Sequence, residues 1–197
     1  LPAAISPLLD CYLEIISGPQ TGHRVDVMSI SAASCLIRVD SPNNTLDVTK
    51  VDLSGARVVL RPHRTLGEVF DPALFKGATT PAAADQVLFY APEGYHNCWL
   101  YANGSERRWV LNGDNTLTGI DDTIIPPGIG LLLQIADTSP APLLTLGAVR
   151  TTPFALPLTA GYHLMANPWP LDLTPEQAGM TDSGVFIATT AFSSSDQ

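Results

Sequence analysis

The sequence has few charged side chains, and few of those are basic. Only 15% of its 197 residues are charged, and 10 lysines and arginines face 19 acidic residues, so the formal net charge is −9. A chain of this charge repels phosphate, which argues against a nucleic-acid partner. With 45% hydrophobic residues it is also too apolar for an intrinsically disordered chain. We therefore expect a folded protein with a substantial core.

Long apolar runs and familiar catalytic motifs are missing as well. Apolar runs, such as 131–133, extend over only a few residues and are far shorter than the roughly 20 residues of a transmembrane helix, so we expect no membrane-spanning segment. The nucleophile elbow, the zinc-protease helix motif, the P-loop and the dinucleotide-binding glycine motif are all missing. We therefore assign no catalytic or cofactor-binding residue and expect a protein that is not an enzyme. A glycosidase with two converging carboxylates is the catalytic alternative.

The three cysteines leave two interpretations open. In an exported protein one disulfide could form, and Cys11 with Cys35 is the better pair because both lie in the same predicted series of strands. The other interpretation is that Cys11, Cys35 and Cys98 are buried thiols that pack as small hydrophobic side chains.

Short strand-like segments separated by turn residues dominate the chain. In 23–30, Val25 and Val27 alternate with Arg24 and Asp26, which is the period of a half-buried strand. Similar segments are 11–17, 35–39 and 56–60. The sequence predicts a mainly β fold, with short antiparallel strands in a meander, a sandwich or small barrels, and with two short capped helices.

Two capping boxes predict those helices. Thr65 and Glu68 have the N-cap and N3 spacing, and Thr174 and Gln177 repeat it with Pro175 at the first helical position. We expect the first helix to end before residue 72 and the second to end near residue 179.

The clearest local signal is a hairpin over 98–111. Asn103-Gly104 lies at its centre, and this pair favours the positive φ angles of a tight turn. Further along, 130–135 is a continuous apolar run, which predicts a strand buried on both faces. Between the strand-rich parts, 76–85 is rich in alanine, threonine and proline. We expect an N-terminal β subdomain (1–75), a loop (76–85) and a C-terminal β subdomain (86–197), or one continuous domain.

Four sequence blocks, in this order, resemble a known family. The blocks are Ser17-Gly18 with Gly22, RPHRTLGEVF at 61–70, IIPPGIG at 124–130 and LTAGYHLMANPWP at 158–170. They are similar to motifs of an exported, β-rich bacterial family of unknown function, best known from verrucomicrobial bacteria. Arg64 and His163 stand where that family favours Trp and Asn. The resemblance implies export and a β fold, and it carries over no site residue.

Acidic residues in one loop region suggest a weak calcium site. Asp114, Asp121 and Asp122 offer oxygen ligands, which calcium prefers, although their spacing does not match an EF-hand. Aspartate also stabilises turns without a metal, and turn formation is the favoured interpretation. We expect no cofactor otherwise.

Aromatic residues suggest a sugar-binding platform. Trp99, Tyr101 and Trp169 could stack on a glycan, which would make the protein a monomeric glycan- or surface-binding module. Buried aromatic residues of a β core are the alternative.

The leading hypothesis is an exported, non-catalytic protein that self-assembles into an extracellular filament or surface layer. A first residue other than methionine fits a mature chain whose signal peptide has been removed. Low charge and only two lysines suit a surface that is buried against copies of itself. Two apolar terminal segments are the expected subunit contacts, through Leu1, Ile5, Leu8, Leu9, Val185 and Phe186.

Overall fold

The computed structural model describes residues 11–31, 33–91, 94–137, 150–156, 158, 163–169 and 171–180. Strands make up 35% of this structure and helix 5%. The described residues form three antiparallel sheets and no closed barrel. The mainly β fold predicted from the sequence is therefore confirmed.

The elements of the described residues follow one another in chain order. They are β1 (Cys11–Ile15), β2 (Arg24–Ile30), β3 (Cys35–Ile37), β4 (Val58–Pro62), β5 (Arg64–Thr65), α1 (Leu66–Val69), a 3-10 helix (Pro81–Ala83), β6 (Gln86–Ala91), β7 (Gly94–Asn103), β8 (Glu106–Leu111), β9 (Ile124–Ile125) and β10 (Leu131–Gln134). No helix in the part that the structure describes is long and apolar enough to cross a membrane.

The first sheet has the strand order β3-β2-β1-β4. Strands β1 and β2 are joined by a turn in which Gly18 and Gly22 have φ angles of 91° and 94°, a conformation that glycine adopts at little cost. Strand β4 comes back to the other side of β1, where Leu60 lies opposite Leu13. Strands β1, β2 and β3 form the predicted meander, and β4 extends the sheet by pairing with β1.

The second sheet has the order β10-β6-β7-β8, and β7 with β8 forms the predicted hairpin. Gly104 has a φ of 61° at the hairpin turn. The register places Leu100 opposite Trp109 on one face and Tyr101 opposite Arg108 on the other. The larger core lies on the first of these faces and contains Leu66, Phe70, Phe75, Val87, Phe89, Cys98, Leu100, Trp109 and Ile125.

The first capping box forms as predicted and fixes α1 to the second sheet. Thr65 Oγ1 accepts a hydrogen bond from the Glu68 backbone N–H at 3.4 Å, and the Glu68 carboxylate accepts one from Thr65 N at 3.2 Å. Leu66 is fully buried. The indole N–H of Trp109 donates to the carbonyl of Phe70 at 2.7 Å. The single turn of helix thus closes over the larger core.

The second capping box forms, but the predicted second helix does not. Thr174 Oγ1 accepts from Gln177 N at 3.3 Å, and Gln177 Oε1 accepts from Thr174 N at 3.0 Å. The segment 174–180 nevertheless remains a series of turns. Gly179 adopts a φ of 75°, which ends a helical path. Only one turn fits between the cap and this glycine.

The prediction that 130–135 is buried on both faces is wrong. Strand β10 lies at the edge of the second sheet, and Leu132 is 54% exposed while Leu133 is 37% exposed. An apolar run cannot distinguish a central strand from an edge strand, because the neighbours that decide burial come from elsewhere in the chain.

The segment 76–85 is packed closely onto the second sheet. Asp85 is 4% exposed, and its carboxylate accepts backbone N–H bonds from Lys76 and Ala136, both at 2.7 Å. Strand β5 pairs with β9, so residues from the two predicted subdomains share a small sheet. The division into subdomains itself stays a prediction.

The strand order excludes a disulfide between Cys11 and Cys35. Cys11 is in β1 and Cys35 is in β3, and β2 lies between these strands. Two strand spacings amount to roughly 9.5 Å, whereas a disulfide needs Cα atoms within about 7 Å. The Cys11–Cys35 bridge therefore does not form. Cys11 and Cys98 are buried, whereas Cys35 is exposed.

Removing the Asp85 carboxylate tests how much its hydrogen bonds to 76 and 136 stabilise the fold. Asp85→Ala leaves the N–H groups of Lys76 and Ala136 without their acceptor, at about 1–3 kcal/mol for each group. We expect urea denaturation to show a free energy of unfolding lower by about 2–5 kcal/mol. The control Asp122→Ala changes an exposed carboxylate and should cost less than about 0.5 kcal/mol. Equal losses in both variants would contradict this role.

Candidate functional site

One face of the first sheet is polar, and it holds most of the buried charge that the structure describes. Alternate residues of a strand share a face. Tyr12 and Glu14 of β1 therefore lie beside Asp26 and Arg24 of β2, with Arg61 of β4 on the other side of Tyr12. The four residues of β1 and β2 are all less than 8% exposed. A buried face of this kind is stable only when its charges are paired.

Glu14 is the centre of this face and is 1% exposed. Its carboxylate accepts hydrogen bonds from Arg61 Nε, from Arg150 Nη1 and, at 2.7 Å, from Thr152 Oγ1. Burial alone would raise the pKa of Glu14, but the bonds from Thr152 and Arg61 and the charge of Arg150 outweigh burial and lower the pKa. Glu14 is thus an anion at neutral pH and joins three distant parts of the chain.

Two guanidinium groups hold the segment 150–155 against the polar face. The guanidinium carbons of Arg24 and Arg150 lie 5.4 Å and 4.8 Å from the centre of the Phe154 ring. Arg24 Nη1 donates to the carbonyl of Ala155 at 3.4 Å. Burial lowers the pKa of Arg24 to about 10, so it stays protonated at neutral pH. The cation–π contacts are therefore made by charged side chains.

Asp26 and His63 form a second buried pair on the same face. His63 Nε2 lies 2.9 Å from Asp26 Oδ1. Asp26 Oδ2 accepts from Ser41 Oγ at 2.5 Å and from Asn43 Nδ2 at 3.1 Å. Burial opposes ionisation of Asp26, but the bonds from these three side chains lower its pKa. The His63 Nδ1 atom has no hydrogen-bond partner within the described residues.

The Asp26–His63 pair does not form a catalytic triad with Ser41. In a triad the serine hydroxyl bonds to histidine, and histidine in turn is oriented by aspartate. Here Ser41 donates to the aspartate instead. In this arrangement the serine and the histidine both bond to the aspartate and not to each other.

A small pocket opens beside this cluster. Its volume is about 270 Å³, and both Asp26 and Asp40 line it. A glycosidase needs one carboxyl group that is protonated and can act as an acid. Asp26 is unsuited to this role, because its lowered pKa keeps it ionised and both of its oxygens already accept hydrogen bonds.

A larger cleft of about 450 Å³ lies next to Phe154 and includes Trp169. The ring of Trp169 meets the Phe154 ring edge-on, with 6.5 Å between the ring centres, and its indole N–H donates to the carbonyl of Thr152 at 3.2 Å. Trp169 is partly buried. Among the three proposed glycan-stacking residues, it is the one that borders an open cleft.

The other two proposed stacking residues lie inside the protein. Trp99 is 3% exposed and Tyr101 is 8% exposed, and the two rings pack edge-to-face with 5.9 Å between their centres. The guanidinium of Arg108 covers the Tyr101 ring at 5.1 Å. Neither ring offers an open face to a sugar in this structure.

The acidic calcium candidates take part in local hydrogen bonds. Asp114 Oδ1 accepts from Thr116 N at 2.8 Å, and its Oδ2 accepts from Thr118 N at 2.9 Å, as in a turn. Asp121 Oδ1 accepts from Trp109 N at 3.3 Å, and Asp122 is exposed. The described ranges contain no group of three or more metal-ligating side chains.

The six expected subunit-contact residues lie outside the described residues. They are Leu1, Ile5, Leu8, Leu9, Val185 and Phe186. The structure instead shows exposed aliphatic side chains on sheet edges, at Leu36 of β3 and Leu132 of β10.

The sequence reasoning missed the polar network. Its signal was present, because polar residues alternate with apolar ones at 24–27, and Arg61 and His63 repeat the same spacing. In an antiparallel sheet such alternation usually marks one side that faces solvent. Arg150 and Thr152 cover this side of the sheet, but they are more than 130 residues from Glu14 in the sequence. A local sequence pattern therefore cannot predict their contact with Glu14.

Comparison of the chain with models of protein families, with curated proteins and with solved structures finds no match.

The lowered pKa of Glu14 makes stability depend on pH. Its usual value is 4.5, and the folded protein lowers it, so the native state binds fewer protons than the unfolded state. The stabilisation is complete well above pH 4.5 and is lost as the pH falls through the lower, folded pKa. Glu14→Gln should reduce the free energy of unfolding by about 3 kcal/mol at pH 7, because it leaves Arg61 and Arg150 without their anion. The difference from the parent protein should shrink at acid pH.

A control variant shows whether the loss of stability requires that the removed carboxylate is buried. Glu106→Gln removes an exposed carboxylate that lies 3.3 Å from the half-buried Arg108. Its expected cost is less than about 1 kcal/mol at any pH. Urea denaturation from pH 3 to pH 8 measures both variants. The role of Glu14 would be wrong if its variant lost no more stability than Glu106→Gln.

Proposed function

We propose that the chain is an exported, non-catalytic structural protein that self-assembles into an extracellular filament or surface layer. The contacts between subunits would be made by the edges of its two larger sheets. Edge strands present backbone groups that can pair with another chain, so a second copy can extend a sheet.

The observation that carries the proposal is the aliphatic edge at β10. Leu132 and Ile135 are 54% and 41% exposed, and within the described residues β10 pairs with β6 alone. Natural proteins usually protect such an edge with charged residues, proline or a bulge. The stretch 129–136 contains no charged residue and no proline. The edge therefore has the properties of a contact surface.

A second aliphatic edge lies on the first sheet. In β3 Leu36 is 56% exposed, and the nearby Met28 and Val39 are 59% and 55% exposed. If the β10 edge of one copy meets the β3 edge of the next, the two contact surfaces differ. Contacts between unlike surfaces form open chains unless the rotation closes a ring. This arrangement supports a filament or layer rather than a dimer.

Other features support the remaining parts of the proposal. Export is supported by the family resemblance and by a composition with only two lysines. A non-catalytic role is supported by the Asp26 cluster, in which the carboxylate is held as an anion and the serine hydroxyl is bonded to it.

Charged substitutions on the two edges test the proposal. Leu132→Lys and Leu36→Lys replace exposed side chains, so each should change the free energy of unfolding by less than about 0.5 kcal/mol. Both should abolish large assemblies of the full chain, because an inserted lysine cannot be buried between strands. Analytical ultracentrifugation and negative-stain microscopy measure the assemblies.

The control is Leu74→Lys, at a side chain that is 71% exposed and outside the strands of either sheet. It should assemble like the parent chain. A parent chain that stays monomeric at millimolar concentration would overturn the proposal. Assembly that all three variants leave unchanged would show that the sheet edges do not carry it.

A further inference from the structure

The cleft beside Trp169 has the size and composition of a ligand site. Its described walls come from three parts of the chain: residues 154, 156 and 158, residues 165–169, and residues 173–175 with 178–180. Its volume of about 450 Å³ falls within the range of roughly 300–1,000 Å³ found for small-molecule sites. None of the described residues that line it is charged.

The polar side chains of the cleft are already engaged. Asn167 donates through Nδ2 to the carbonyl of Leu171, and its Oδ1 accepts from the backbone N–H of Trp169 at 3.0 Å. The indole N–H of Trp169 donates to Thr152. Thr174 Oγ1 accepts from Gln177 N. The amide oxygen of Asn167 and the indole N–H of Trp169 are thus used within the protein, and a ligand rich in hydroxyl groups would lose bonds to water on entry.

One wall of the cleft is held by several contacts. Phe154 lines the cleft and is contacted by the guanidinium groups of Arg24 and Arg150, and Trp169 packs edge-on against it. A Cβ added at Gly128 would lie only 2.4 Å from the Phe154 ring, so the ring is in close contact with the backbone there. Side chains that are already held in place reduce the entropy cost of binding.

Two flexible side chains also line the cleft. They are Met165 and Met180, and methionine side chains adjust to ligands of irregular shape. Leu156, Leu158 and Leu173 supply further aliphatic contacts. Aromatic rings held by contacts, together with flexible aliphatic side chains, suit an apolar ligand.

From these features we infer that the cleft binds an uncharged aliphatic chain, such as the alkyl part of a long-chain alcohol or of a lipid. The chain would lie along the Phe154 and Trp169 rings and contact the methionines, while any polar end would remain in water. Binding of this kind does not depend on assembly of the protein.

Titration with the neutral fluorescent probe N-phenyl-1-naphthylamine tests the inference. The full-length chain should give saturable binding with one site, and 1-dodecanol should displace the probe. Ala178→Phe fills the cleft from its exposed rim and should weaken binding at least tenfold. The control Ala73→Phe adds the same ring to an exposed loop and should leave binding unchanged. Thermal unfolding should show that both variants remain folded.

Three outcomes would overturn the inference. The first is absence of saturable binding by the parent chain. The second is equal affinity of Ala178→Phe and Ala73→Phe, which would place the probe elsewhere on the protein. The third is displacement of the probe by maltohexaose but not by 1-dodecanol, which would identify the cleft as a sugar site. The edge variant Leu132→Lys should bind the probe normally, so a failure of self-assembly and a failure of this inference can be distinguished.

Discussion

The buried carboxylate of Glu14 is the constraint on which the rest of the described structure around the first sheet depends. A carboxylate that is 1% exposed must be paired, and its three partners come from β4 and from 150–152. Arg150, which Glu14 holds in place, contacts the Phe154 ring together with Arg24, and Trp169 packs against Phe154. The cleft depends on this series of contacts, because Phe154 and Trp169 both line it.

The second sheet is organised by a different kind of interaction, although a buried carboxylate again contributes. Its strands are held by apolar contacts on both faces, with Trp109 on one face and Trp99 on the other. Asp85 then joins 76 to 136 by accepting two backbone N–H bonds. In both sheets a segment outside the strands is thus held by a buried carboxylate.

Local patterns were sufficient to predict the elements whose partners are near in sequence. The hairpin around Gly104 and the capping box of Thr65 are formed within a few residues, so the sequence contains all that they need. The exposure of β10 and the pairing of Glu14 with Arg150 depend on residues from distant parts of the chain. No periodicity or motif encodes such contacts. For this reason the sequence did not predict the polar face, and it wrongly predicted that 130–135 is buried on both faces.

The scarcity of charge noted in the composition has a structural consequence. Three of the ten basic residues, Arg24, Arg61 and Arg150, belong to the polar face of the first sheet. Lysine is the residue that most often protects a sheet edge, and neither of the two lysines lies on β3 or β10. A chain that commits arginines to its interior and has so few lysines leaves its edges aliphatic. The same distribution of charge therefore supplies the internal network and leaves both of these edges without a lysine.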